Sequence, residues 1–287
     1  MTLRLLAVHA HPDDESSKGA ATYAAYRSRG AEVLIVSCTG GERGSILNEN
    51  LPNRAMAERD MPGLRRLEMA EAQRILGVEH RWLGYQDSGM DDDGSVPPNS
   101  FADVPLEISA APLVRIIREF KPQVLITYDE NGGYPHPDHI RTHEVSIAAY
   151  RAAADAEAYP DAGEPWQIDK LYYDRIFNLQ RIDAMYLELS ATEPDSDLLE
   201  PLSEAREWMK DYPHVATTHV PVGDFLEVRD AALRAHASQV APDSSFFFWP
   251  NGLVRQAWPY EDFQLIESKV NSTVPESDLF AGVRDDA

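Results

Sequence analysis

Two short stretches concentrate the side chains that could bind a metal or move a proton. The first is "HAHPDDE" at 9–15, which holds His11, Asp13 and Asp14. The second is "GGYPHPDH" at 132–139, which holds Tyr134, His136, Asp138 and His139. Two imidazoles and one carboxylate are the protein ligands of a catalytic zinc that keeps its fourth position open. A further carboxylate beside such a metal can take the proton of an attacking water. His11 and Asp14 are three positions apart, as are His136 and His139, and Pro137 suits the first turn of a helix. Neighbouring Asp13 and Asp14 point differently, so one can bind while the other reaches the water. Either stretch alone is a weak signal, because Asp also caps helices and His also decorates loops. Both together, each after an apolar run, are a strong one.

Other ionisable groups crowd the same stretches. His9 could rival His11 as a ligand, but a packing role suits it better. His143 lies one turn beyond His139 and reads as a helix-face residue. Glu15 is expected at helix-terminus amides. Lys18 would stand beside the positive end of a helix, an unfavourable place that suggests a contact with substrate. His236, in "RAHASQ", reads as a buried, hydrogen-bonded histidine or as a group facing the site. Cys38 is the single cysteine and follows an apolar run, as an inert core thiol would.

The elements that must position these groups alternate. Strands are expected at 4–10, 31–39, 80–84 and 122–128. Helices are expected at 19–30, 65–77, 105–120 (which Pro112 would split) and 138–156. Strand–helix alternation implies an α/β, Rossmann-like, mostly parallel sheet with helices on both faces. In such sheets the site lies at the carboxyl ends of the strands, and the polar clusters at 9–15, 39–44, 85–90 and 128–139 each follow a strand. Residues 1–160 are expected to form the catalytic domain. Residues 161–287 would form a smaller α+β portion that packs on it and completes the cleft, or the two would form one continuous domain. Beyond 160 the pattern loosens: 193–213 reads as an acidic surface excursion with a helix, 224–240 as an amphipathic helix, and "DSSFFFWP" at 243–250 as core or an apolar wall.

The chain has 287 residues, 43% hydrophobic and 26% charged, with a formal net charge of −22. That charge argues against a nucleic-acid or anionic-membrane surface. One cysteine permits no internal disulfide, which suits a reducing cytoplasm. No signal-peptide pattern and no long apolar run is present, so a cytoplasmic protein is expected. These features leave a homo-oligomer open.

"AHPDDE" followed by "HPDH" resembles the signature of the PIG-L (LmbE-like) zinc N-deacetylases, and within them the mycothiol branch. The resemblance extends through "TGGERG", "QDSGM" and "TYDENGGYPHPDH" to "LRAHASQV". It implies His11, Asp14 and His139 as ligands of one Zn2+, a set that also accepts Fe2+. It implies Asp13 as general base, with His136, tuned by Asp138, and Tyr134 serving the oxyanion or leaving amine. Glu42, Arg66 and Asp87 would contact the sugar–inositol part of the substrate. A lysine at position 18, the overall length and "DSSFFFWP" resemble the branch members that cut the amide of mycothiol S-conjugates, releasing a mercapturic acid and glucosaminyl-inositol. The nearest alternative is deacetylation of N-acetylglucosaminyl-inositol. His11, Asp13 and His139 also spell a 2-His-1-carboxylate iron oxygenase site; those sites sit on all-β barrels, and Asp14 would then go unexplained. Nothing supports a catalytically silent sugar-binding protein.

Overall fold

In the computed structural model, residues 2–52, 54–91, 94–244 and 247–283 are described. Five strands run parallel: β1 (Arg4–His9), β2 (Glu32–Thr39), β3 (Glu79–Tyr85), β4 (Val124–Thr127) and β5 (Lys170–Asp174). β6 (Thr218–Pro221) and β7 (Tyr260–Ser268) extend the sheet, with β7 antiparallel to both its neighbours. The spatial order is β3-β2-β1-β4-β5-β7-β6. The mostly parallel α/β sheet expected from the sequence is therefore the fold found. The segment after 160 builds into the same sheet, because β5 pairs with β4 from Val124↔Lys170 to Thr127↔Tyr173.

The helices are α1 (Asp14–Ser17), α2 (Ala20–Ser28), α3 (Arg54–Arg59), α4 (Met61–Leu76), α5 (Leu106–Phe120), α6 (Pro137–Ala154), α7 (Leu179–Thr192), α8 (Leu199–Met209), α9 (Leu226–Ala235) and α10 (Asn251–Ala257). A strand covered on both faces reads as a nearly continuous apolar run. In β1, Leu5 and Ala7 join the core under α2, α4, α7 and α9, while Leu6 and Val8 join the core under α5 and α6. Each buried Leu or Val side chain there stabilises the fold by roughly 1.5–3 kcal/mol.

Strand order determines where the site can be. The chain runs outward from β1 to β2 and β3, then returns to β4 on the other side of β1. The connections after β1 and β4 thus part in opposite directions, which opens a crevice at the carboxyl ends of those two strands. The two motifs follow β1 and β4.

Several boundaries differ from expectation. Pro112 does not split α5, which runs unbroken through it. Proline removes the N–H that would bond the carbonyl four residues back; that carbonyl, of Ile108, instead accepts from the Tyr85 hydroxyl at 3.2 Å. α4 starts four residues early, capped by Asp60, whose carboxylate accepts from Gly63 N. α9 stops at Ala235, short of the expected 240, because Ser238 N and Oγ both donate to buried Glu68 on α4 at 2.7 Å. Among the described residues no helix is long and apolar enough to cross a membrane.

Candidate metal centre

The first motif occupies the turn from β1 into α1. His11 N donates to Asp14 Oδ2 at 2.9 Å, and Ala10 N donates to Tyr128 Oη at 3.0 Å, which ties this turn to the end of β4. The second motif opens α6, with His136 as its N-cap: His136 Nδ1 accepts from Asp138 N at 3.1 Å, and Pro137 follows in the first turn.

These two turns bring His11, Asp14 and His139 together, all buried, with one candidate ligand atom of each within 4.8 Å of the others. Asp14 Oδ2 lies 3.5 Å from His11 Nδ1 and 3.4 Å from His139 Nε2. The other oxygen of Asp14 accepts from Lys18 Nζ. Asp14 is buried, yet Lys18 and the two histidines hold its carboxyl well below the usual range. His139 Nδ1 lies 2.9 Å from the Gly132 carbonyl, which can only accept, so Nδ1 carries the ring proton. Its Nε2 is buried without a hydrogen-bond partner among the described residues. Burial holds His139 well below its ordinary value, against the pull of Asp14. A neutral imidazole with a bare buried nitrogen beside an ionised carboxylate fits a divalent metal.

His11, Asp87 and His136 form a second close group. Asp87 Oδ1 lies 3.7 Å from His11 Nε2, but its oxygens also accept from Gly89 N and Arg43 N, which folds the loop after β3. Asp138 stands two residues from His136, and its charge acts on that ring. Its carboxylate meets His11 Nε2 at 3.2 Å and Ser88 N at 3.0 Å, and only its backbone bonds His136. Burial works against a charged His11, but bonds to Asp138, Asp14 and Asp87 raise it well above its ordinary value. Burial lowers His136. Because Nδ1 of neutral His136 is an acceptor, its Nε2 carries the proton.

Asp13 has φ 106, a left-handed backbone unusual for any residue but glycine. Its N–H donates to Glu15 Oε2 at 2.9 Å, and the other oxygen of Glu15 lies 2.7 Å from His236 Nε2, both of these side chains being fully buried. Asp13 Oδ2 lies 3.3 Å from Arg65 Nη2. Burial raises the Asp13 carboxyl despite Arg65.

Arg66 is exposed on α4, and the structure does not bring it to the site; its neighbour Arg65 is buried there. Arg65 also donates to the carbonyls of Pro12 and Gly41. Helical phase carries the signal that would have chosen it, because Arg65 shares the buried stripe of Met69, Ala72 and Leu76. Glu42 accepts from Gly40 N at 3.2 Å and Asp87 N at 3.0 Å, joining the loops after β2 and β3. Tyr134 is half-exposed, its ring 4.4 Å from that of His139. His9 lies between the Tyr23 and Tyr128 hydroxyls, and burial lowers it to about 4. His143 Nδ1 bonds the Tyr128 carbonyl. Burial pushes the Cys38 thiol up to about 12. Sequence reasoning missed Tyr128, which stacks on His139 with centroids 4.7 Å apart; its one signal was an aromatic residue closing the strand before "DENGG".

Residues 6–150, which include both motifs, match the family model PIG-L, described as GlcNAc-PI de-N-acetylase. The chain belongs to the PIG-L family. This PIG-L chain is 49% identical to a mycothiol S-conjugate amidase of Streptomyces coelicolor, over 99% of each protein. It is 39% identical to a 1D-myo-inositol 2-acetamido-2-deoxy-alpha-D-glucopyranoside deacetylase of Streptomyces scabiei, over 98% of this chain and 90% of that one. Among solved structures, the PIG-L fold here resembles N,N'-diacetylchitobiose deacetylase from Pyrococcus horikoshii. The TM-score is 0.61 at 20% identity, over 92% of this chain and 83% of that one.

Proposed function

We propose that the protein is a zinc-dependent amidase that cuts the amide bond of mycothiol S-conjugates, releasing a mercapturic acid and glucosaminyl-inositol. The observation that carries this reading is the 49% identity, across 99% of both chains, to a mycothiol S-conjugate amidase. The chemistry is supported by the buried nitrogen of His139 facing Asp14 beside His11.

His11, Asp14 and His139 would hold the zinc, which when bound supplies Lewis-acid polarisation of water and carbonyl. Asp13 takes the proton of the attacking water. Burial raises its basicity, and Arg65 holds one of its oxygens in place. His136 presents its Nε2–H to the developing oxyanion, and the proton that Asp13 takes from the water passes to the leaving amine as the C–N bond breaks. Tyr134 adds a second donor from the loop before α6. Glu42 and Asp87 line the approach of the sugar–inositol part, and Lys18 serves a substrate oxygen or carboxylate. The substrate is thus a small-molecule thiol conjugate.

A side-by-side assay of the purified protein tests this reading. The conjugate should be hydrolysed with kcat/KM at least ~10-fold above that for N-acetylglucosaminyl-inositol, with zinc bound and without oxygen. A reversed ratio would replace the amidase reading with the deacetylase one.

A further inference from the structure

A cavity of about 460 Å³ opens beside the break between α1 and α2, with Ser17, Lys18 and Gly19 along one side. Lys18 links it to the metal centre, since this lining residue donates from Nζ to Asp14 Oδ1. The lining also holds apolar and aromatic side chains, among them Phe177, Trp208, Met209, Leu233, Phe247 and Trp249. Two polar groups in the lining are unsatisfied among the described residues. Asp174, at the carboxyl end of β5, is 6% exposed, and its Oδ2 has no hydrogen-bond partner. Arg181 Nε is buried and likewise unpartnered. Leaving such a group unpaired is costly, and a bound ligand would remove that cost. Burial also pushes the Asp174 carboxyl up to about 7, against Lys18 and Arg175, a perturbation typical of binding clefts.

The conjugate has two unlike halves. The glucosaminyl-inositol half carries hydroxyls over its surface and gains little from aromatic walls. The thioether half carries the apolar substituent, and apolar pockets with a few placed polar groups suit it. We propose that this cavity receives the sulfur substituent of the conjugate, that it favours an aromatic group over a methyl group, and that Asp174 pairs a polar atom of the same half. This rests on the amidase reading for the identity of the ligand.

The test compares S-benzyl and S-methyl conjugates on the full-length enzyme, and titrates free S-benzyl- and S-methyl-N-acetylcysteine by calorimetry. Wild type should favour the benzyl form at least ~10-fold in both measurements. Trp208→Ala, at a half-exposed position, and Trp249→Leu should each lower that ratio about 10-fold, chiefly through KM. Asp174→Leu should raise KM for both conjugates, and Asp174→Asn should restore it. Conjugate hydrolysis with no benzyl preference, or with a ratio unmoved by either Trp variant, overturns the cavity assignment and spares the amidase reading. Selective binding of the benzyl acid without conjugate hydrolysis upholds the cavity and overturns the amidase reading. Binding of neither acid, without hydrolysis, overturns both.

Discussion

Gly132 orients His139: its carbonyl accepts from His139 Nδ1 at 2.9 Å, and this leaves Nε2 as the nitrogen facing Asp14. Gly132 holds φ +71, and a Cβ added there would lie 2.4 Å from His139 Cβ and 2.9 Å from the His139 carbonyl carbon. Gly132→Ala is therefore expected to cost about 1–3 kcal/mol in backbone strain and to turn the ring. A lower urea midpoint together with reduced bound metal checks this. A wild-type midpoint with full metal content would show that the close approach does not matter.

Binding the metal and using it should separate by variant. His139→Ala removes the bare nitrogen, and metal content should fall to background. Asp13→Asn should keep the metal and lose about 10²–10⁴-fold in kcat, the usual size of a general-base contribution. Elemental analysis beside steady-state kinetics distinguishes the two, and full turnover by metal-loaded Asp13→Asn rules out Asp13 as the base.

Glu15 holds the N–H of Asp13 from one oxygen and His236 from the other. Glu15→Gln, which turns one of those acceptors into a donor, should lower kcat by about 10–100-fold with little change in KM, the scale seen when partners of site residues are altered. A matching loss of metal instead would place Glu15 in support of the ligands rather than of the base.

Asp174 gives a pH signature in stability. Its carboxyl is raised from 3.8 to about 7 by burial, against Lys18 and Arg175. Between those values the folded chain binds the proton and the unfolded chain does not, so this group's contribution falls as pH rises through that window and levels off above it. Asp174→Asn mimics the protonated side chain. Its Tm should match wild type near pH 4 and exceed it by several degrees at pH 8. A difference independent of pH would mean that Asp174 is ionised throughout.

The central sheet was legible because β1, β2 and β4 are covered on both faces and read as continuous apolar runs. The edge strand β3 was legible too, but β6 and β7 were not. β7 carries Glu261, Asp262 and Gln264 among its apolar residues, and β6 is four residues long, so neither shows a clean period. The residues of the two motifs do meet in the folded chain, since each motif begins where a central strand stops. What escaped depended on side-chain direction. Adjacent residues on a helix differ by about 100°, which separates Arg65 from Arg66. Asp138 stands two residues from His136, yet its carboxylate turns to His11, a partner 127 positions away that local spacing cannot reveal.

The segment that defines the family, residues 6–150, holds all the candidate ligands and the candidate base. The buried partner of Glu15 comes from residue 236, and most of the aromatic wall comes from later than residue 176. The half that matches the family model is thus not a portable module. Moved elsewhere, it would carry the ligands but leave a buried carboxylate unpaired and the pocket unwalled. If the cavity takes the sulfur substituent, the residues that would choose that group lie largely outside the stretch that holds the candidate ligands, and the former could be redrawn while the latter stay as they are.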